Sequence, residues 1–283
     1  MLIDFSLTGL CNLNCFYCYQ NRDNKIHISK SNLDYTIDII NQIAETRETI
    51  THLYGGEPTY HPLFFDIMKR ITSSIGITTN LNLSDEQVSV LVNNENLKRL
   101  IVSFHEFYDV DKFINKLKIA DRRRGIYFEV RLMVHQDNFS FIETTYNKLK
   151  NNLSNVSIEV VPLYFNGVIS NVVLEFVKSY PSNRLFVFKT KEDSFNLTDN
   201  DIKSLNLRNF KFFKCHAGLN GIYINEVGDI YPCYGLLSRE KNYMGHVSNF
   251  DINTINSETV CPLDLCNCEF YYRKTRVLKY EFK

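Results

Sequence analysis

Leu2-Ile3-Asp4-Phe5-Ser6-Leu7 runs directly into Thr8-Gly9-Leu10-Cys11-Asn12-Leu13-Asn14-Cys15-Phe16-Tyr17-Cys18. The apolar start reads as a strand and the remainder as a loop that carries three thiols. In parallel α/β folds, the C-terminal end of a strand is where sites are built. Beyond this loop the chain keeps alternating in the same way: strand-like apolar runs are followed by amphipathic segments. Helix periodicity marks Ser31–Arg47, with apolar residues at Leu33, Ile37, Ile40 and Ile43. Strand-like Thr51–Tyr54 is followed by helical Pro62–Ile71, and strand Ile75–Thr79 by helix Ser84–Asn93, which Ser84 caps with Gln87 three positions on. Strand Leu100–Phe104 leads to helix Asp109–Arg124, stopped by Gly125. Strands Tyr127–Val134 and Val156–Val161 flank helix Ser140–Leu149, and Phe165–Tyr180 reads as a last helix.

Strands alternating with helices make βαβ units and a parallel sheet. Six such units fill about 180 residues, whereas a closed eight-fold barrel takes about 250. The expected fold is therefore α/β, an open (β/α)6 partial barrel. Its expected boundaries are 1–180 for the barrel, 181–209 for a connector and 210–283 for a small cysteine-rich extension. Within that extension, Ile222–Asn225 and Ile230–Tyr231 flank a Val227-Gly228-Asp229 turn and read as a β-hairpin.

Composition narrows the function classes. The chain of 283 residues is 44% hydrophobic, with 32 Lys+Arg against 32 Asp+Glu. Zero net charge removes any global field for a polyanion, and Arg122-Arg123-Arg124 reads as a solvated helix end, so no nucleic acid is expected. The apolar runs are too short to cross a bilayer, and no secretory signal is visible, which gives a cytoplasmic, membrane-free expectation. The eight cysteines are not scattered: Cys11, Cys15 and Cys18 stand near the start, and Cys215, Cys233, Cys261, Cys266 and Cys268 in the last quarter. Without export, close-set thiols point to metal or redox chemistry rather than disulfides.

Spacings of three and two residues let one loop wrap a compact inorganic core. Three thiolates on a four-iron cluster leave one iron open to another ligand, since a four-ligand site needs a further nearby thiol. Zinc on the three cysteines, with water or His27 as fourth ligand, is the alternative. After the second strand comes Gly55-Gly56-Glu57-Pro58. Two glycines allow close approach of backbone to a ligand, and a carboxylate accepts hydrogen bonds from an ammonium group.

The cysteine pattern, with an aromatic residue before its third member, and the Gly-Gly-Glu-Pro segment at the second strand together resemble the radical S-adenosylmethionine (radical SAM) enzymes. The resemblance implies a [4Fe–4S] cluster on Cys11, Cys15 and Cys18, with S-adenosylmethionine on the open iron and reductive cleavage to a 5′-deoxyadenosyl radical. It also places Tyr17 by the adenine and Gly55, Gly56, Glu57 and Pro58 around the cofactor. Thr79-Asn80 stands where the family often has Thr-Asn-Gly, which adds Asn80 to the cofactor contacts, although Leu81 replaces the glycine. Ser103 matches a serine near the ribose and carboxylate, and Arg131 a position that in some members contacts the carboxylate. Ordinary strand polarity would account for Ser103 and Arg131 equally well. His105 occupies a place where aspartate is common, and His61 reads as structural.

The span Cys215-x12-Gly228-x4-Cys233 resembles the opening of the SPASM and Twitch extensions, in which a hairpin presents thiolates to an auxiliary cluster. That resemblance implies a second [4Fe–4S] cluster on Cys215, Cys233, Cys266 and Cys268, with Cys261 able to replace either of the last two. A full SPASM extension needs more thiols, so the single-cluster Twitch type fits better. The spare cysteine is either simply buried or, as Cys261, a hydrogen-atom donor. The expected activity is hydrogen abstraction from a peptide or small metabolite, ending in oxidation, cross-linking or epimerisation, with a flavodoxin- or ferredoxin-like electron donor. The first strand begins at once, so no peptide-recruiting domain is expected ahead of the barrel. A zinc-bound structural protein or a two-cluster electron carrier would explain the thiols but not Gly55–Pro58.

Overall fold

The structure is a computed structural model that describes residues 1–18, 26–106, 108–163, 169–182, 185–189, 194–198, 201, 211, 214–236, 242–256 and 259–263. Six strands and six helices alternate: β1 Leu2–Thr8, α1 Lys30–Thr46, β2 Ile50–Gly55, α2 Phe64–Arg70, β3 Ser74–Thr79, α3 Asp85–Val92, β4 Leu97–Phe104, α4 Val110–Asp121, β5 Tyr127–Val134, α5 Phe139–Asn152, β6 Ser157–Pro162 and α6 Asn171–Lys178. The six strands pair in parallel in that order, without closing. This is the open (β/α)6 partial barrel that the periodicity predicts.

Alternation along each strand sorts the two faces. On β1, Ile3, Phe5 and Leu7 join the helix-side core with Leu33, Ile37, Ile40 and Ile43 of α1. Each such fully buried side chain contributes roughly 1.5–3 kcal/mol of transfer free energy. Asp4, Ser6 and Thr8 point the other way, into the concave face. That face is polar: Asp4 Oδ1 meets His52 Nδ1 at 3.4 Å, and His52 Nε2 lies 2.8 Å from Thr78 Oγ1. Further round, Arg131 Nε donates to Glu129 Oε1 at 2.7 Å, and Glu129 also accepts from the Tyr127 hydroxyl. Buried charges persist only when paired. A polar concavity opposite an apolar helix layer leaves one surface suited to a polar ligand.

Element ends differ from the sequence reading for local reasons. Helix α4 stops at Asp121 rather than Arg124, because its buried positions run out at Ala120 and the Asp121 carboxylate accepts from the Ser154 and Asn155 amides. The helix read as Pro62–Ile71 is α2, Phe64–Arg70, and a 3-10 turn at Pro58–Tyr60, capped by Glu57, precedes it. Strand β4 starts at Leu97 rather than Leu100, because exposed Lys98 and half-buried Arg99 hide the apolar pattern at its start. Helix α6 begins at Asn171, and residues 164–168 lie outside the described residues.

The segment expected to be a connector contains an antiparallel pair, β7 Leu185–Lys189 with β8 Ser194–Thr198. Beyond it, β10 Gly221–Ile224 and β11 Asp229–Tyr231 form the anticipated hairpin. The remaining short strands are β9 Lys214–Cys215, β12 Gly245–His246 and β13 Thr259–Val260. The hairpin is not set apart from the barrel. Strand β10 pairs in parallel with β1, Leu2 facing Gly221 and Phe5 facing Ile224, so one nine-stranded sheet runs β12-β11-β10-β1-β2-β3-β4-β5-β6.

Candidate functional site

The C-terminal ends of β1, β2 and β3 meet at the cysteine loop. A register shift between Ser6 and Thr8 turns β1 outward at its end. The loop is then pinned from several sides: Gly9 N–H donates to Ile26 O at 2.9 Å, Leu10 N–H to Thr8 Oγ1 at 3.0 Å, and Glu57 N–H to Leu10 O at 2.8 Å. Gly55, the last residue of β2, and Gly56, directly after it, permit this docking. A Cβ on Gly56 would lie 2.1 Å from Leu10 O, and one on Gly55, whose φ is +143°, would lie 2.3 Å from Thr8 O. The close approach that glycine permits is here to the thiol-bearing backbone itself.

Glu57 is 2% exposed and its carboxylate is heavily engaged. Oε1 accepts from Thr59 N–H at 3.1 Å, Thr59 Oγ1 at 2.6 Å and Thr79 Oγ1 at 2.7 Å, while Oε2 accepts from Asn80 N–H at 2.6 Å. Burial raises its pKa and these donors oppose the rise. Oε1 shares its lone pairs among three donors, whereas Oε2 receives one from among the described residues and, with about two acceptor sites on an oxygen, retains capacity for one further donor. Glu57 thus ties β2 to β3 and fixes Asn80, whose Nδ2 donates to Asn12 Oδ1 at 2.8 Å and lies 4.0 Å from Cys11 Sγ.

The three sulfurs and Glu57 share one electrostatic neighbourhood. Burial raises the Cys11 pKa, the Leu13 amide 3.3 Å from its sulfur opposes this, and the charges of Glu57, Cys15 and Cys18 raise it further. Cys15 is buried, with Sγ 3.5 Å from His105 Nδ1, and Cys18 is exposed. Crowded thiols of this kind are unfavourable as bare thiolates and suit a cationic inorganic core. Among the described residues, no three Cys, His, Asp or Glu side chains converge on a point that would hold one metal ion. A cubane does not require that convergence, because each sulfur binds a different iron. His27 packs edge-to-face on His61, ring centroids 4.9 Å apart, and burial lowers the pKa of both.

Tyr17, Ser103 and Arg131 lie around the same concavity. The Tyr17 hydroxyl is 2.8 Å from His105 Nδ1, and the two rings stack at 6.0 Å. Burial lowers the His105 pKa to about 4. Ser103 and Arg131 face one another across β4 and β5, with Arg131 committed to Glu129. Pro58 opens the 3-10 turn beneath Glu57. Sequence reasoning missed Asn12, Tyr108 and the role of His105. The Tyr108 ring lies 6.5 Å from that of His105, and burial raises its pKa, with the charges of Glu57, Cys11 and Cys15 adding to the rise. Its position just beyond the end of β4 was the available signal.

The carboxy-terminal thiols are partly described. Cys215 on β9 pairs with Thr259 of β13, and Cys261 directly follows that strand. A Cβ on Gly235 would lie 2.6 Å from Leu263 Cδ1 and 3.9 Å from Cys233 Sγ, so Cys233 and the segment after Cys261 come together. All three cysteines are buried. Cys266 and Cys268 lie outside the described residues. The extension also reaches the first site: Ser6 Oγ donates to Glu226 Oε2 at 3.2 Å, and Tyr234 has its pKa raised by burial and then by the Cys18 charge.

A model of the Radical SAM superfamily matches residues 5–142. The Methanocaldococcus jannaschii protein MJ0907 is 26% identical over 253 residues, covering 80% of this chain and 82% of that protein. The AdoMet-dependent heme synthase of Methanosarcina barkeri is 29% identical over 105 residues, covering 36% of this chain and only 30% of that enzyme. Among solved structures, anSMEcpe with bound AdoMet superposes with a TM-score of 0.61 at 14% identity, over 90% of this chain and 79% of that one. Streptococcus suis SuiB bound to its precursor peptide SuiA gives 0.62 at 16% identity, over 90% and 64%. These structural likenesses establish the fold.

Proposed function

This chain belongs to the radical SAM superfamily, residues 5–142 carrying the family's domain, and on that premise we propose that Cys11, Cys15 and Cys18 hold a [4Fe–4S] cluster while Gly55–Pro58, Asn80, Tyr17, Ser103 and Arg131 receive S-adenosylmethionine. The carrying observation is the gathering of the three thiols and Glu57 at the ends of β1–β3, with the loop backbone seated on Gly55 and Gly56. Bound there, the cluster would supply one electron to the sulfonium, releasing a 5′-deoxyadenosyl radical. The protein's own part is positional. Glu57 Oε2 offers its remaining acceptor site to the cofactor's ammonium group, Asn80 is held rigidly by Glu57, and the concave polar face admits substrate while the helix layer excludes solvent from behind.

Substrate and outcome belong to the same reading: hydrogen abstraction from a peptide or small metabolite, leading to oxidation, cross-linking or epimerisation. The fold shared with SuiB, solved with a precursor peptide, supports a peptide. The partial similarity to a heme synthase supports a small molecule. A second cluster on Cys215, Cys233 and two of Cys261, Cys266 and Cys268 fits the approach of Cys233 to the segment following Cys261. Anaerobic reconstitution followed by metal analysis tests the proposal. Iron with matching sulfide, and 5′-deoxyadenosine formed with reductant and S-adenosylmethionine but not by Cys15→Ala, support it. Zinc without iron refutes it.

A further inference from the structure

The Cys15 sulfur has an aromatic side-chain network packed directly against it. His105 Nδ1 lies 3.5 Å from Sγ and 2.8 Å from the Tyr17 hydroxyl, and that hydroxyl is itself in hydrogen-bond contact with Cys15. Sulfur, hydroxyl and imidazole nitrogen are therefore mutual neighbours. A metal-ligating sulfur carries no proton and can only accept. Two protons are available, one on Tyr17 and one on His105. With His105 as the Nδ1–H tautomer, the arrangement that gives the sulfur a donor is a chain in which His105 Nδ1–H donates to the Tyr17 oxygen and the Tyr17 O–H donates to the Cys15 sulfur. Successive hydrogen bonds of this kind polarise one another. Stacking of the two rings holds the chain in register, and Phe16 packs edge-to-face on both Tyr17 and His135.

We propose that Tyr17 and His105 form a hydrogen-bond chain onto Cys15 that sets the reduction potential of the cluster held by that cysteine, with His105 a positioning residue that acts through Tyr17. The assignment rests on the reading that Cys11, Cys15 and Cys18 carry the cluster. Its physical basis is charge. One-electron reduction makes the cluster and its thiolates more negative, with no proton taken up, and a donor aimed at a ligand sulfur stabilises the reduced form more than the oxidised one. Hydrogen bonds to cluster sulfurs are among the factors that set such potentials. Asparagine at residue 105 keeps a side-chain donor, whereas aspartate would bring a negative charge beside the same sulfur.

The test is a redox titration of the anaerobically reconstituted protein, without S-adenosylmethionine, followed by electron paramagnetic resonance of the reduced cluster. Tyr17→Phe keeps the ring and removes the donor. It is expected to lower the midpoint so that the reduced-to-oxidised ratio at fixed potential falls about tenfold, ~59 mV for a one-electron couple. His105→Phe should shift it in the same direction, His105→Asp further, and His105→Asn should restore part of the change. Tyr60→Phe, on the exposed surface beside His27, serves as control. Equal iron content with an unchanged midpoint in both Tyr17→Phe and His105→Phe overturns the proposal and leaves the cluster assignment standing. Absence of iron from the parent protein overturns the cluster assignment, and this proposal with it.

Discussion

Leu81 stands where the radical SAM family often carries glycine, and its backbone shows why the substitution matters. It has φ +57°, the left-handed region, and is the one non-glycine residue with positive φ among the described residues. An L-residue there costs roughly 1–2 kcal/mol. The side chain is nevertheless buried in the core, and loss of a buried leucine costs about 2–5 kcal/mol. Burial outweighs strain, so leucine is tolerated. Both Leu81→Ala and Leu81→Gly are expected to destabilise the protein, but the glycine variant should be the more stable of the two by about 1 kcal/mol, the reverse of the usual order. Urea denaturation measures the difference, and an alanine variant more stable than the glycine one would refute the assigned conformation. His61 gives a second prediction at this scale. Burial first, then the His27 charge, lowers its pKa from 6.5 to about 4. Between those values the unfolded chain binds the extra proton and the folded chain does not, so the stability contribution is complete above pH 6.5 and is lost as pH falls toward 4. The stability margin of the parent over His61→Asn should shrink between pH 7 and pH 5. A margin that stays constant would contradict it.

At the scale of elements, the cysteine loop and the turn after β2 are one unit. Gly56→Ala drives a methyl group into Leu10 O at 2.1 Å. Overpacking of this kind typically costs 1–3 kcal/mol, and relief requires the loop to move. The expected outcome is a lower melting temperature together with reduced iron binding, read by calorimetry and metal analysis. A variant that melts lower yet binds the full complement of iron would separate the glycine from the site. This coupling shows what the sequence discloses and what it withholds. The alternation of apolar runs makes the six strands and their helices legible, and Ser84 and Gln87 form the capping box their spacing suggests. Motif spacing makes Cys11, Cys15, Cys18 and Glu57 legible as a group. The cross-strand partners of Glu57 are not legible, because Thr79 and Asn80 reach it only through the juxtaposition of β2 and β3, whereas Thr59 reaches it locally, in the 3-10 turn that Glu57 caps. Tyr108 was hidden likewise, as a single residue beyond a strand end with no periodic signal, and His105 was noted only as standing where aspartate is common, without its contacts to Cys15 and Tyr17.

Across the whole molecule, the pairing of β10 with β1 turns barrel and extension into one sheet. Periodicity predicts a hairpin but carries no information on which edge it joins, since parallel pairing is set by tertiary contact. Two consequences follow. The extension covers the edge of β1, the strand that launches the thiol loop, and it brings Glu226 to Ser6 of that strand, while the Cys18 charge adds to burial in raising the Tyr234 pKa. A chain ending at residue 209 bares the edge of β1, and bare strand edges template association. It is expected to elute from size exclusion as aggregate. A monodisperse monomer that still binds iron would show that the barrel needs no cover.

The most direct test of the central claim, an open iron on Cys11, Cys15 and Cys18 beside a sulfonium cofactor, is electron–nuclear double resonance. The reconstituted, reduced protein would be examined with S-adenosylmethionine carrying nitrogen-15 in its amine. Direct coordination predicts a hyperfine coupling from the labelled amine nitrogen, absent with unlabelled cofactor and lost in Cys15→Ala. A reduced cluster that binds the cofactor yet shows no coupling to that nitrogen would contradict it.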